Sequence, residues 1–239
     1  LREKEGMEEN KQWYFCHRKD PSNTFVTIKE NDLLYQVDFA NGQKTGYFLD
    51  QKINRLYVKN ISKNKIVLDC CTHTGSFAMN AAMGNAKKVH ALDISNQALQ
   101  IAEKNINLNH LESVIETKQA DLFEYLTELK NKKIHPYDII ILDPPAFTKA
   151  KNSLKNAYKG YYEINYLAMK ILKRGGYLVT ASCSHFMSEK LFKEMLHRAA
   201  KDANISLREI IESKQSPDHP ILWNVEETNY LKFFIFQIV

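Results

Sequence analysis

IIILDPPAF, residues 139–147, is the stretch on which the rest of the chain turns. Four apolar residues, three of them β-branched, read as a buried strand. The strand stops at an acid followed by two prolines. Pro144 and Pro145 cannot donate to a sheet ladder, and Pro144 drives Asp143 towards extended geometry. The expected result is a stiff ledge: a carboxylate at the C-terminal edge of a sheet, with the aromatic Phe147 beside it. In open α/β sheets ligands bind at that edge. An Asp that ends a strand before a proline turn is also an ordinary structural feature, so the surrounding chain has to decide.

Working outward, strands are expected at 65–70, 88–92, 114–119, 137–142, 177–182, 206–213 and 231–238. Helical periodicity fills the intervals at 76–83, from the Ser95 N-cap to 108, 121–130, 157–172 and 188–203. Seven strands separated by helices imply an α/β, doubly wound, mostly parallel Rossmann-like sheet. Upstream, 25–29 and 33–39 read as strands, with Asn41-Gly42 as a hairpin turn into a third strand near 44–49. This predicts a small N-terminal antiparallel β element within residues 1–49, followed by a main domain over 50–239 that opens with a helix to Ile61.

Composition sets limits on function. The 239 residues are 44% hydrophobic and 26% charged, as in an ordinary globular protein, and no apolar run is long enough to span a membrane. The four cysteines, Cys16, Cys70, Cys71 and Cys183, include no C-x-x-C pair, which speaks against a structural zinc site and leaves each a small buried residue or a nucleophile. A reducing, cytoplasmic setting is the expectation. The net charge of +5 is unevenly spread: residues 149–174 hold seven basic side chains against one acid, Glu163. A basic run directly after the ledge suits a polyanionic substrate, although a solvated lysine face is the commoner meaning of such a run.

The other strand ends repeat the pattern of the ledge. The first closes in VLDCCTHTGSF, an acid (Asp69), a loop with one glycine (Gly75), then a helix start through Thr74, Ser76 and Phe77. One glycine forms no pyrophosphate cradle, so the dinucleotide fingerprint is excluded. The second closes in LDIS, placing Asp93, Ile94 and Ser95 where an acid accepts both hydroxyls of a ribose. The third closes in Asp121-Leu122, within reach of an adenine amino group. Ribose and adenine without pyrophosphate point to S-adenosylmethionine. Phe48, Asp50 and Arg55 are expected to close over its methionine end, with Asp143 completing the series of acids.

These motifs resemble a class I methyltransferase from about Lys44 onward. TGYFLDQKINR, VLDCCTHTGSF, LDPPAF, the GYYEIN segment and SCSH together resemble the PUA-linked cytosine-C5 methyltransferases of large-subunit ribosomal RNA. The resemblance implies that Cys183, in the motif ending the fifth strand, is the nucleophile. The second cysteine that the family often carries two residues earlier is here Ala181. It also implies that Asp143 steadies the cytosine ring and that S-adenosylmethionine is the cofactor. Pro144, Pro145, Phe147, Lys149, Lys151, Lys155 and Lys159 would face the RNA. Asp218 and His219 are candidates for the base that removes the C5 proton, and Cys70 and Cys71 would be dispensable.

The chain departs from the family at Lys52, where the motif usually has Arg, and residues 1–24 are too short for a PUA domain. Either the chain is a fragment, or RNA binding rests on the β element and the lysine run. No metal and no membrane are expected, and the oligomeric state is open, with a homodimer as one option. Two rival readings stand: an N-methyltransferase of guanine or adenine using Phe147 as a stacking platform, and a non-catalytic RNA-binding relative.

Overall fold

The computed structural model describes residues 22–42, 46–147 and 154–239. In chain order its elements are β1 (Phe25–Glu30), β2 (Leu33–Asp38), α1 (Lys52–Ile61), β3 (Ile66–Cys70), α2 (Ser76–Met83), β4 (Lys88–Asp93), α3 (Asn96–Leu108) and β5 (Ile115–Gln119). They continue with α4 (Leu122–Asn131), β6 (Ile139–Leu142), α5 (Leu154–Ile171), β7 (Tyr177–Ser182), α6 (Glu189–Ala203), β8 (Leu207–Ser213) and β9 (Lys232–Ile238).

Seven strands form one sheet in the order β5-β4-β3-β6-β7-β9-β8. The first five run parallel, and β9 lies antiparallel to both β7 and β8. This is the expected doubly wound, mostly parallel Rossmann-like sheet. From β3 the chain moves outward through β4 to β5, then returns to place β6 on the other side of β3. The reversal opens a crevice between the carboxyl ends of β3 and β6, the switch point where this architecture binds ligands.

Both faces of the sheet are covered, which is why its central strands are continuously apolar. Side chains alternate between faces along each strand. Leu68, Ile140, Leu142 and Leu178 pack with residues of α4, α5 and α6. Val67, Ile139, Ile141 and Val179 pack with α2, Ile106 of α3, and Leu33, Tyr35 and Val37 of β2.

The N-terminal element has its first two expected strands and differs from expectation after β2. β1 and β2 pair from Phe25↔Asp38 to Glu30↔Leu33, so the hairpin turns at Asn31-Asp32, both left-handed with φ of 52° and 68°. Such a two-residue turn matches the twist of the strands it joins. The Asn41-Gly42 pair instead ends β2: the N–H groups of Ala40 and Asn41 donate to the Asp38 carboxylate, and that of Gly42 to the Asp38 carbonyl. No strand forms over 46–49, where Leu49–Gln51 is a short 3-10 turn; residues 43–45 lie outside those described. The edge a third strand would need is already taken. Leu34 N–H donates to Asn109 Oδ1 at 2.8 Å, Gln36 N–H donates to Asn105 Oδ1 at 2.7 Å, and Asn109 Nδ2 donates back to the Leu34 carbonyl. Two α3 side chains thus replace a neighbouring strand. No helix among the described residues is long and apolar enough to cross a membrane.

Candidate active site

The four acids expected at strand ends are brought together. Asp69 sits in β3 one residue before its end, Asp93 closes β4, Asp121 follows β5 and Asp143 follows β6. The half-buried thiol of Cys71 registers their convergence: burial pushes its pKa up, and the charges of Asp93, Asp143, Asp69 and Asp121 push it further. One sulfur therefore lies within electrostatic reach of all four carboxylates.

Each acid is held differently. Asp69 is 1% exposed; its Oδ2 accepts from Thr72 Oγ1 at 2.6 Å and from Ala78 N–H at 2.9 Å. Burial raises its pKa to about 7, aided by Asp143 and Asp93 and opposed by those two hydrogen bonds. Asp93 accepts from His73 N–H and Ser95 N–H, both at 2.9 Å, which ties the loop after β3 to the end of β4. Asp121 caps α4 through Phe123 N–H and Glu124 N–H. Asp143 Oδ1 accepts from Gln51 Nε2 at 3.1 Å, and Asn54 Nδ2 in turn donates to Gln51 Oε1 at 2.7 Å. Gln51 and Asn54 carry no distinct signal as site residues in the sequence, although both lie in the quoted segment around Asp50.

The loop from Cys71 to Gly75 is compact, with Cys71, His73 and Gly75 all left-handed. Gly75, at φ 83°, is needed for that geometry and for packing: a Cβ there would stand 3.3 Å from the Ala102 Cβ of α3. Its close approach is to α3, which differs from the expected approach to a ligand. Thr74 is buried, its carbonyl accepting from Asn105 Nδ2 at 3.1 Å. The first N–H groups of α2, at Ser76 and Phe77, precede any intrahelical acceptor.

Three side chains lie elsewhere than expected. Phe77 is buried and stacks on Phe233 at 6.3 Å, in the core, so only its backbone reaches the loop. Arg55 is 1% exposed. Its Nε and Nη2 donate to the two carboxylate oxygens of Glu30 at 2.8 and 3.1 Å, Nη2 also reaches the Phe48 carbonyl at 2.7 Å, and Nη1 the Ser76 hydroxyl at 3.3 Å. The guanidinium clasps the hairpin to the loop from beneath; Phe48 itself contacts the His73 ring at 5.3 Å. Phe147 packs inward against Tyr161 at 4.7 Å and Phe123 at 6.2 Å, with Gly160 making room for its ring. The ring is half-buried. Ile94 is exposed at the mouth, Ser95 caps α3 through Ala98 N–H, Leu122 is buried, and Pro144 is buried while Pro145 is exposed.

Cys183 follows β7 directly and is half-buried. Leu142 pairs with Thr180, so Cys183 and Asp143 leave neighbouring parallel strands at the same edge. The loop between β8 and β9 closes over this corner. Ser216 N–H donates to the Asp50 carbonyl at 2.8 Å, Ser216 Oγ accepts from Ile53 N–H at 3.1 Å, and Tyr230 donates its hydroxyl to Asp50 Oδ2 at 2.7 Å. Asp218 and His219 lie in this loop, 3.0 Å apart. On the flank, Lys155 and Lys159 are exposed and share a cleft of about 650 Å³ with Tyr158, Tyr162 and Arg198, whereas Tyr161 is buried. Lys149 and Lys151 lie outside the described residues. Among the described residues, no cluster of His, Cys, Asp or Glu is arranged to hold a metal ion.

The chemistry of the edge selects its ligand. Asp69 Oδ1 and Asp50 Oδ1 are buried acceptors with no donor among the described residues. Carboxylates gathered at one edge fit a ligand with a cationic centre, hydroxyls and amines, and repel a polyphosphate. S-adenosylmethionine, with its sulfonium and ammonium, has that character.

The comparisons with known proteins agree. The chain is 38% identical over 240 residues to a ribosomal RNA large subunit methyltransferase I of Shigella dysenteriae serotype 1, matching all of this chain and 59% of that one. It is 37% identical to the protein of the same name from Erwinia tasmaniensis, of which it covers 60%. The chain thus spans about three-fifths of the length of these relatives. A methyltransferase solved in complex with SAH superposes with a TM-score of 0.82 at 26% identity, over 93% of this chain and 58% of that one. The family model for S-adenosylmethionine-dependent methyltransferases matches residues 11–237, and with the sheet order and the ring of acids in place the chain belongs to that family.

Proposed function

We propose that the chain carries the catalytic domain of an RNA methyltransferase that forms 5-methylcytosine in large-subunit ribosomal RNA, with Cys183 as nucleophile. The names of the relatives supply the substrate class. The observation that carries the reaction type is the half-buried Cys183 thiol, one strand over from Asp143 at the carboxyl edge of the sheet.

Bound at this edge, S-adenosylmethionine supplies an electrophilic methyl group. Asp93 would take the ribose hydroxyls, Asp121 the adenine side and the start of α2 the methionine carboxylate, while the buried Asp69 and Asp50 would add negative charge near its cationic centres. C5 of cytosine is too weak a nucleophile to accept a methyl group unaided. Attack of the Cys183 thiolate on C6 forms a sulfur–carbon bond and moves the C5–C6 π electrons onto C5. The Asp143 carboxyl, held by Gln51, would in its protonated form pass its proton to N3, neutralising the negative charge displaced into the ring, and take it back when the thiolate leaves. After C5 is methylated, a base takes its remaining proton, the double bond re-forms and the thiolate leaves. Asp218 and His219, in the loop between β8 and β9, are candidates for that base.

The other cysteines suit this role poorly. Cys70 is fully buried, and burial together with Cys71 and Asp69 pushes its thiol far up; burial and then the four acids do the same to Cys71. The N-methyl alternative would use Phe147 as an aromatic platform beside the ledge, and that ring packs partly against Tyr161 and Phe123. The test is transfer of a labelled methyl group to a large-subunit rRNA transcript, followed by nucleoside analysis. Label should appear in 5-methylcytosine, and Cys183→Ala should abolish it. Label in methylguanine or methyladenine, or full activity in the variant, would refute the proposal.

A further inference from the structure

β9 is an apolar strand with Phe233, Phe234, Ile235 and Phe236 all buried, yet it opens with a lysine that is itself only 5% exposed. In the ladder Lys232 pairs with Ser182, the last residue of β7, so its side chain stands beside the turn that begins at Cys183. Its Nζ donates to the Ser184 carbonyl at 2.6 Å and to the Tyr230 carbonyl at 2.7 Å. Both partners are neutral. The anionic groups that act on the ammonium are Cys183 and Glu189, in that order, and burial lowers its pKa to about 8. Glu189 is already shared between Lys193 at 3.0 Å and Lys214 at 3.7 Å. On the other side of Lys232, the Tyr230 ring carries its hydroxyl to Asp50, with Asp218 also in electrostatic reach. A buried ammonium without a carboxylate of its own is costly, and is retained where its charge is used.

We infer that Lys232 is the positioning and charge-compensating residue of the nucleophile: it fixes the Cys183 turn through the Ser184 carbonyl and balances the negative charge of the Cys183 thiolate. The inference rests on the reading of Cys183 as nucleophile. The thiol proton passes to solvent and Lys232 keeps its own, so the pair is anion and cation in the working state. No methyl-donor contact is assigned to Lys232.

The experiment is the pH profile of Cys183 alkylation by iodoacetamide on the full chain, read peptide by peptide by mass spectrometry so that the other cysteines do not interfere. In the wild-type protein the midpoint should lie below the ordinary cysteine value of about 8.5. Lys232→Met should raise that midpoint by about one unit and slow alkylation near pH 7 about tenfold, with S-adenosylmethionine affinity by calorimetry unchanged. An identical profile in wild type and Lys232→Met would overturn the inference. If the variant does not fold, a wild-type midpoint at or above about 8.5 overturns it alone. Failure of the nucleophile reading is separately visible, as methylation that survives Cys183→Ala.

Discussion

Asp69 is the most deeply buried acid of the sheet edge, with one oxygen satisfied twice and the other not at all. Its pKa of about 7 in the fold, against an ordinary 3.8, has a definite sign for stability. Between those two values the folded state holds the proton more tightly than the unfolded chain. Unfolding free energy therefore falls as pH rises from about 4 to about 7. Asp69→Asn keeps an acceptor for Thr72 and Ala78 but removes the titration. Urea midpoints measured across that window should decline less with pH in the variant than in wild type, and equal slopes would show that Asp69 is already ionised when folded. The same residue shows what can be read from sequence. An acid at a strand end is visible there; that it is fully buried, while Asp93 and Asp121 are spent partly on backbone N–H groups, depends on depth in the sheet and on helix starts. Lys232 is legible in principle, as a lone charge opening the apolar run of residues 233–236, and Tyr230 carries no comparable signal.

At the scale of elements, the β1–β2 hairpin is fastened to the cofactor loop by buried polar links. Glu30 holds Arg55, which reaches the Ser76 hydroxyl, and Asn105 joins the Gln36 N–H to the Thr74 carbonyl. The Tyr47 hydroxyl also donates to Glu30, at 2.9 Å, and its ring lies 4.9 Å from the guanidinium. Glu30→Gln leaves a buried guanidinium without its counter-charge, so it should lower unfolding free energy by about 3–5 kcal/mol in urea denaturation. A loss below about 1 kcal/mol, the range of an exposed pair, would show that the clasp is open in solution. This clasp explains why Arg55 reads as a ligand residue in the sequence. Its partner lies 25 residues away in another element, and a conspicuous arginine beside a binding motif points to ligand when the fold is unknown. The expected turn into a third strand fails for a related reason. Asn41-Gly42 is the stronger local signal, but the β2 edge goes to Asn105 and Asn109 of α3, a long-range choice that no local pattern carries.

Across the whole molecule, the strand–helix alternation is legible because the central strands are mainly apolar and most helices carry a one-sided apolar stripe, α2 being the one buried nearly all round, so the doubly wound architecture follows from connectivity. The convergence of the four acids follows with it. Less legible is the division of labour on the flank: Tyr161 goes to the core while Tyr158 and Tyr162 line the cleft with Lys155, Lys159 and Arg198. If this flank guides RNA to the edge, charge should dominate its affinity. Replacing Lys149, Lys151, Lys155 and Lys159 by Gln should reduce the slope of log K against log salt by about 0.7 for each phosphate no longer neutralised. An unchanged slope would place the RNA elsewhere.

The central claim, a bond between Cys183 and a cytosine taken out of its stack, is tested most directly by trapping. RNA carrying 5-fluorocytosine blocks the proton abstraction that frees the sulfur, so the chain should remain covalently attached. The adduct should map by mass spectrometry to Cys183, require S-adenosylmethionine and vanish in Cys183→Ala. An adduct on Cys70 or Cys71, or no adduct with an RNA that is methylated when unfluorinated, would contradict it.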